Sequence, residues 1–310
     1  MREAILPRGV YRIKTAPEVA GKRLDQILST ELAWLSRGDA RRLIDLGGVH
    51  VDGRRVRRCS QEVSAGQDIE VHVDGLPLEP FALEEQHLLH RDPYLLVINK
   101  PAGVATQPTP ARFQGTLYAA VQKYLGLKNE AGLGMVQRLD RDTSGVMVFS
   151  IHPKAHKQLT TAFHERQVDK RYLALVAGSP PQAVGEFRSL LARRHATNRT
   201  VSVSRGGKPA ITRYRVIEQF AGAALVEVEL LTGRSHQIRA HFCEAGCPLL
   251  GDTAYGGPTR WNESCVPRQM LHASELRLKH PVSAVDCCWQ APLPHDFSTL
   301  LAGMRATGGI

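Results

Sequence analysis

Residues 134–150, GMVQRLDRDTSGVMVFS, constrain the fold of this chain more than any other stretch. The polar half, QRLDRDTSG, carries Asp140 and Asp142 among arginines, and an unbroken apolar run follows at 146–149. Such a run predicts a strand buried on both faces, and a buried strand fixes the loop before it. The two carboxylates are therefore candidates for catalysis, although a charge-compensated surface turn has the same composition.

Length and charge narrow the classes of protein. A chain of 310 residues with 43% hydrophobic content can bury a large core and favours two domains over one. The net charge of +10 indicates a polyanionic partner, either nucleic acid or an acidic membrane surface. No apolar run approaches a membrane span, and the N-terminus lacks the apolar core of a signal peptide. We therefore predict a cytoplasmic protein with no membrane partner and with reduced cysteines.

The cysteines give little support for a metal site. Cys243 and Cys247 stand near His236 and His241, but no second cysteine pair has the spacing of metal ligands. The adjacent Cys287 and Cys288 would point to opposite sides of a strand. We predict neither a metal nor any other cofactor.

Residues 1–75 are predicted to form a small basic α/β module. The S-x-x-D pattern at Ser36 predicts the start of a helix, which Gly47 and Gly48 end. Asp52 and Gly53 predict the two-residue turn of the following hairpin. Residues 37–58 hold seven arginines against three aspartates.

Arginine in this pattern suits bidentate contact with phosphate groups. Arg37 and Arg41 share one helix face, because residues four apart are neighbours on a helix, and Arg55 lies in the hairpin. We expect these three side chains to contact RNA. The alternative is a solvated charged face with no partner.

Residues 76–87, with two prolines and no clear period, read as a linker, and 88–310 as a second domain. Strand and helix patterns there mix without regular alternation, which predicts an α+β sheet domain.

Residues 187–217 hold eight cationic side chains and no carboxylate, which indicates a mobile loop or hairpin tip that meets a polyanion. Further on, TGRSHQIRAHF places Arg234, His236, Gln237 and Arg239 at a strand-to-helix junction, where hydrogen-bond donors converge.

Two resemblances follow from motifs that occur in order. The N-terminal unit resembles the RNA-binding module named after ribosomal small-subunit protein four, through RLDQIL, SRGDARRLI, GGVHVDGRRV and SAGQDIEVHV. The rest resembles the RluA family of pseudouridine synthases, through NKPAGVATQPT, QRLDRDTSGVMVF, KRYLALVAG, KPAITRYRV, LLTGRSHQIRAHF, PLLGDTAYG, LHASELRL and APLPHDFSTLL. Together they cover almost the whole chain.

The family resemblance implies an isomerase that converts specific uridines of RNA into pseudouridine, with a flipped-out base. It implies a catalytic domain on a large mixed, mainly antiparallel sheet flanked by helices. Asp140 matches the catalytic carboxylate, Arg234 the arginine that pairs with it, and Tyr172 the tyrosine of the site. Stacking on the uracil is the favoured role for Tyr172, because a phenol with a pKa of about 10 is a poor base at pH 7.

Substrate contacts are expected from residues around these motifs, namely Arg138, Gln137, Thr143, His236, Gln237 and Arg239. Gln137 and Gln107 stand where the family more often has histidine, which affects the expected detail of substrate binding rather than activity. The N-terminal module favours 23S ribosomal RNA over tRNA as the partner. We expect a monomer.

Two other functions fit parts of the sequence. A glycoside or nucleoside hydrolase could use Asp140 and Asp142 as a carboxylate pair, since residues two apart on a strand share a face. It would explain neither basic stretch. A non-catalytic RNA-binding or ribosome-assembly protein could use Asp140 only as an ion-pair partner.

Overall fold

The structure is a computed structural model that describes residues 6–127, 132–194 and 197–307. Its chain forms two compact units, Met1–Glu84 with Val104–Asn129, and Glu85–Gly103 with Glu130–Ile310. The boundaries 1–75, 76–87 and 88–310 stay a prediction, and these units differ from them at residues 104–129. That segment groups with the N-terminal residues because the N–H groups of Phe113 and Gln114 donate to the Leu46 carbonyl. Buried Arg112 also pairs with Asp74 at 2.9 Å.

The first unit contains a four-stranded antiparallel sheet in the order β1-β4-β2-β3. Its elements are β1 (Gly9–Lys14), α1 (Leu24–Glu31), α2 (Arg37–Leu46), β2 (Val49–Val51), β3 (Arg54–Val56), β4 (Asp68–Val73) and α3 (Leu117–Tyr124). Both predicted ends of α2 are confirmed. The Ser36 hydroxyl accepts from the Asp39 N–H, and Gly47 takes the left-handed conformation with φ 88°.

The second unit is built on one large sheet with helices against it, which confirms the predicted α+β class. In chain order its strands and helices are β5 (Leu88–Arg91), β6 (Leu95–Lys100), β7 (Gly134–Met135), β8 (Ser144–Ser150), α4 (Pro153–His164), β9 (Asp169–Ala177), β10 (Val184–Arg194), β11 (Arg199–Ser202), β12 (Lys208–Phe220), β13 (Ala223–Leu230), α5 (Gln237–Glu244), β14 (Arg260–Trp261), β15 (Ser264–Cys265), β16 (Leu271–Lys279), β17 (Asp286–Gln290) and α6 (His295–Ala306). Among the described residues, eleven strands join in the order β11-β10-β12-β13-β9-β16-β8-β6-β5, with β17 on β16 and β7 on β8. The β8–β16 pair is parallel and the other pairs are antiparallel. None of the helices described is long and apolar enough to cross a membrane.

The strand predicted at 146–149 is confirmed and is central. All seven residues of β8 are buried, and β8 lies between β6 and β16. Val146 and Val148 pack with Leu95 and Val97 of β6 in one core cluster. The segment that carries Asp140 is thus anchored at its C-terminal end by a strand that cannot shift without disrupting the core.

The basic stretch at 187–217, expected to be a mobile loop or a hairpin tip, forms sheet rather than a loop, with β10 paired antiparallel to β11 and to β12. It forms most of β10, β11 and β12, and its residues 195–196 lie outside the described part of the chain. Glu186 pairs with Arg188 at 2.7 Å and with Arg213 at 3.0 Å. Carboxylates just outside the stretch therefore compensate part of its charge, which a count limited to the stretch does not reveal.

Gly145 is expected to tolerate no side chain. Its φ is +118°, and a Cβ there would lie 2.1 Å from the Ala273 carbonyl oxygen on β16. Backbone cannot move away cheaply in the middle of a sheet, so we expect Gly145→Ala to lower the free energy of unfolding by at least about 3 kcal/mol. Urea unfolding followed by circular dichroism measures the loss.

Gly303→Ala is the matched control. Gly303 lies in α6, and a Cβ there meets no described atom within 4 Å. Alanine should therefore stabilise the helix by about 0.5–1 kcal/mol. Equal stability of the two variants would contradict the close approach of β8 and β16.

Candidate active site

Asp140 lies in the turn between β7 and β8, four residues before β8 begins. Its side chain is 28% exposed, so it is open to a substrate while partly shielded from water. Arg239 Nη1 donates to its Oδ2 at 2.8 Å. The N–H of Thr143 donates to the Asp140 backbone carbonyl at 3.1 Å, which closes the turn. The side chain and backbone of Asp140 are both fixed.

Arg239 is the third residue of α5 and is only 8% exposed. Its Nε and Nη2 donate to the two carboxylate oxygens of Asp252 at 2.6 and 2.8 Å. Burial opposes the charge of this guanidinium, but Asp252 and Asp140 outweigh it and raise the pKa of Arg239 above its usual value. One buried cation therefore bridges two carboxylates, and the Asp252 bond sets the direction from which it meets Asp140.

The predicted pairing of Arg234 with Asp140 is wrong. Arg234 lies in the loop before α5, and its Nε donates to the Pro209 carbonyl at 3.0 Å. Arg239, expected only among the substrate contacts, holds the carboxylate instead. The two arginines are five residues apart in one motif, and the helix that starts at Gln237 turns the second of them into the interior.

His236 approaches the same carboxylate from the N-terminus of α5. Its Nε2 lies 3.8 Å from Asp140 Oδ2, and its Nδ1 lies 3.0 Å from the Tyr255 hydroxyl. The residue adopts a left-handed conformation with φ 53° and ψ 21°, which is uncommon for a residue with a Cβ and often marks a functional site. Burial lowers the pKa of His236.

Tyr255 and Asp252 were missed as site residues, although the segment PLLGDTAYG contains both. The Tyr255 ring contacts two guanidinium groups, with its centre 4.8 Å from that of Arg199 and 4.9 Å from that of Arg239. Its hydroxyl accepts from the Thr200 N–H at 2.7 Å. The Tyr255 side chain thus connects β11 with α5. The signal available in the sequence was an acidic residue three positions before an aromatic one in a glycine-rich turn.

Tyr172 is buried on β9, 7% exposed, opposite Val228 of β13 and Ala273 of β16. Burial and the charge of Asp140 raise the pKa of its phenol above the usual value. The hydroxyl therefore stays protonated at neutral pH and is an even poorer base than a free phenol. This favours stacking over proton abstraction for Tyr172.

Two buried cations hold the turn that carries Asp140. Lys100 Nζ donates to the carbonyls of Arg141 and Pro101 at 2.9 and 2.8 Å. Arg268 Nη1 donates to the carbonyl of Asp142 at 2.9 Å, and its Nε and Nη2 donate to the carboxylate of Asp296. Successive carbonyls after Asp140 are thus fixed from within the core. Neither residue was among the predicted site residues, because a positioning role leaves no local pattern.

Lys100 makes the stability of the fold depend on pH. It is fully buried, and burial lowers its pKa from 10.5 to about 7. Between these two pH values the unfolded chain holds the proton and the folded chain has released it, so stability contributed by Lys100 rises with pH. The free energy of unfolding of wild type should therefore rise relative to that of Lys100→Met by up to about 1.4 kcal/mol per pH unit.

Urea unfolding at pH 7, 8 and 9 measures this gain, with Lys157→Met as the control because Lys157 is exposed on α4. The difference between wild type and Lys157→Met should stay constant. Parallel pH profiles for wild type and Lys100→Met would show that Lys100 keeps an ordinary pKa in the folded protein.

Other predicted contacts are occupied by the protein itself. The Gln237 amide donates to the Ile211 carbonyl and to the Thr212 hydroxyl, and accepts from Thr232 and from the Arg234 N–H. Buried Thr143 accepts from Gln269 at 3.3 Å. Both side chains are therefore buried in hydrogen bonds to the protein around the site and do not face a substrate.

The substrate contacts expected of Arg138 and Gln137, two and three residues before Asp140, stay predictions. Arg138 is exposed beside the turn. The Gln137 Nε2 is buried without a hydrogen-bond partner among the described residues. A buried donor without a partner needs an explanation, and an acceptor on the substrate would supply one. Among the residues the structure describes, no group of three or more His, Cys, Asp or Glu side chains is placed to hold a metal ion.

The predicted RNA contacts of the first unit divide into two kinds. Arg37 and Arg41 are exposed and donate to Asp25. Arg55 is partly buried, donates to the Thr109 carbonyl and lies 5.5 Å from the Phe113 ring. The Nη1 of Arg55 is buried without a hydrogen-bond partner among the described residues. The phosphate contacts expected of all three arginines therefore stay predictions.

Comparison with known proteins shows the family to which this chain belongs. Residues 94–244 match the model of the RNA pseudouridylate synthase family, and residues 22–69 match the S4 domain. The chain is 36% identical to ribosomal large subunit pseudouridine synthase D of Nitrosomonas europaea, over 94% of this chain and 87% of that protein. It is 34% identical to the protein of the same name from Pseudomonas aeruginosa, over 93% of each.

A solved structure agrees. Human RNA pseudouridylate synthase domain containing 4 superposes with a TM-score of 0.59 at 27% identity, over 71% of this chain and 93% of that one. The fold is thus that of an RNA-modifying isomerase. The chain belongs to the RNA pseudouridine synthase family and carries an S4 RNA-binding domain, which confirms the predicted enzyme class.

Proposed function

We propose that this protein converts specific uridines of large-subunit ribosomal RNA into pseudouridine, with Asp140 as the nucleophile. The observation that carries the proposal is the bond from Arg239 to Asp140 at 2.8 Å, within the segment that matches the synthase family. A carboxylate held by a buried guanidinium is oriented before substrate arrives. Such preorganisation lowers the barrier to attack because little rearrangement is then needed.

The reaction requires no external reagent. The C1′–N1 glycosidic bond breaks, the base turns over, and a C1′–C5 bond forms, while C5 loses a proton and N1 gains one. Arg239 and His236 both approach Oδ2 of Asp140, so we assign Oδ1 to attack. A carboxylate can act at the sugar or at the base, and either adduct uses this same oxygen.

Neighbouring groups have distinct roles in this proposal. Tyr172 is a neutral buried phenol, and its ring provides a stacking surface for the displaced uracil. Gln137 supplies the unpartnered Nε2 donor for the base. His236, neutral because burial lowers its pKa, sits where a second hydrogen bond can steady the carboxylate.

A uridine in folded RNA must leave its stack to reach Asp140. Unstacking costs a few kcal/mol, which contacts with the RNA backbone can offset. Arginines are exposed in both units, including Arg41 in the S4 domain and Arg188 on β10. The net charge of +10 favours contacts with the RNA backbone, and such contacts support the proposal that the target base is flipped out.

The choice of RNA rests on the relatives and on the S4 domain. Two relatives are named for the ribosomal large subunit, which favours 23S ribosomal RNA over tRNA. A carboxylate-pair hydrolase is not favoured, because the chain belongs to the RNA pseudouridine synthase family. A non-catalytic RNA-binding role would leave Tyr172 and the Gln137 donor beside Asp140 without a purpose.

Incubation with unmodified transcripts tests the proposal. A 23S ribosomal RNA transcript and a mixture of tRNA transcripts are treated with the protein, and pseudouridine is mapped by carbodiimide labelling and reverse transcription. Labelled stops are expected at discrete uridines of the ribosomal RNA alone. Stops in tRNA alone would overturn the substrate, and no stops in either would overturn the reaction.

A further inference from the structure

Asp25 is a buried carboxylate outside the active site. It lies at the second position of α1 and its side chain is 0% exposed. Three guanidinium groups donate to it: Arg23 through Nε at 2.9 Å, Arg37 through Nε at 3.1 Å and Arg41 through Nε at 2.7 Å. Burial opposes its charge, but these bonds outweigh burial and lower the pKa of Asp25 well below the usual value.

The three arginines face solvent on their other side. Their side chains are 39%, 44% and 51% exposed. Because Asp25 takes the Nε groups of Arg37 and Arg41, their Nη groups remain for a second acceptor among the contacts described. Three arginines and one aspartate give the cluster a net charge of +2, and the bonds to Asp25 fix the positions of the guanidinium groups. A guanidinium that already has a fixed geometry loses less entropy when it binds a phosphate.

Charge alone would not favour this arrangement for binding RNA. A buried carboxylate removes one unit of positive charge from a surface that benefits from cations. Its burial is also costly unless its bonds are well made. Fixing the geometry of the three arginines would offset both costs.

We propose that Arg23, Arg37 and Arg41 form a binding site for backbone phosphate groups of RNA, with Asp25 as its positioning residue. The inference rests on the RNA substrate of the proposed function. It adds Arg23 and the positioning role of Asp25 to the contacts already expected of Arg37 and Arg41. The alternative is an ion cluster that only joins α1 to α2. The two accounts predict opposite signs for one substitution.

Asp25→Asn is that substitution, and Asp45→Asn is its control. Asp45 is an exposed carboxylate on α2, so each variant raises the net charge by one. The probe is a fluorescein-labelled RNA stem-loop, and affinity is measured by fluorescence anisotropy. We expect Asp25→Asn to bind about tenfold more weakly despite its extra positive charge, and Asp45→Asn to bind as well as wild type or better. Equal or tighter binding by Asp25→Asn would overturn the positioning role.

A second variant keeps the test decisive if Asp25→Asn does not fold. The double variant Arg37→Lys, Arg41→Lys keeps both charges but loses both forked donors. We expect it to fold, to bind the stem-loop about five- to tenfold more weakly, and to keep its log-log salt slope within about one unit of wild type. Wild-type affinity in this variant would overturn the site.

Kinetics on RNA that contains the target uridine separates this inference from the proposed function. Asp25→Asn should raise KM by about the fold by which it weakens binding and leave kcat unchanged, since Asp25 belongs to the unit that lacks Asp140. An unchanged KM with a lowered kcat would overturn the positioning role. If wild type formed no pseudouridine while the binding order held, the proposed function would fail and the phosphate site would stand.

Discussion

Replacing Asp140 with Asn is expected to abolish pseudouridine formation, with a fall in kcat of at least about 10⁴-fold. Asparagine has the same shape, but its neutral amide oxygen cannot attack carbon as a carboxylate does. Arg239 keeps its two bonds to Asp252, so the fold should survive. RNA affinity should stay within about threefold of wild type, because one partly exposed charge is lost without any phosphate contact.

Asp142→Asn is the matched control for this prediction. Asp142 lies two residues on, with similar exposure, and pairs with Arg141. Its loss should lower kcat less than about tenfold, since exposed ion pairs contribute little. Single-turnover assays on the same ribosomal RNA measure both variants. Equal losses in the two variants, or activity in Asp140→Asn, would contradict the assignment of the nucleophile.

Replacing Arg239 with Gln is expected to have the second-largest effect, on stability and on activity together. Asp252 is 1% exposed and depends on Arg239 for its charge partner. Breaking one side of a buried pair leaves an uncompensated charge, which should lower the free energy of unfolding by about 3–5 kcal/mol. Asp140 also loses the donor that orients it, so kcat should fall by about 10²- to 10³-fold at temperatures where the variant is folded.

Arg234→Gln is the control, because Arg234 comes from the same motif and its side chain, among the described contacts, donates to the Pro209 carbonyl at 3.0 Å and not to a carboxylate. It should cost less than about 1 kcal/mol in stability. Arg239→Lys completes the set, since a point charge cannot fork between Asp140 and Asp252 and should recover only part of the activity. Larger losses of stability and activity in Arg234→Gln than in Arg239→Gln would instead support the pairing of Arg234 with Asp140 that the motif predicted.

Local patterns in the sequence were enough for some of the elements, although not for the strands at 187–217. The apolar run at 146–149 predicted β8, and its position in the sheet followed from being buried on both faces. The Ser36 cap and Gly47 stop predicted the ends of α2. These features depend on neighbours in the chain, which a sequence displays directly.

Partners across the fold could not be predicted in the same way. Arg234 and Arg239 are equivalent by residue type, and only the helix direction shows which one meets Asp140. Lys100 and Arg268 act through carbonyls of the turn, which leave no trace in side-chain patterns. The grouping of residues 104–129 with the N-terminal unit rests on backbone bonds to Leu46, which are equally invisible in the sequence.

Tritium release tests the central claim most directly. Ribosomal RNA transcript labelled with tritium at C5 of uridine is incubated with wild type, and both released tritium and free uracil are measured. A synthase must release tritium to water in a one-to-one ratio with pseudouridine formed, and must release no uracil. We expect that result. Free uracil without tritium release would instead show that the glycosidic bond is hydrolysed and that Asp140 serves a hydrolase.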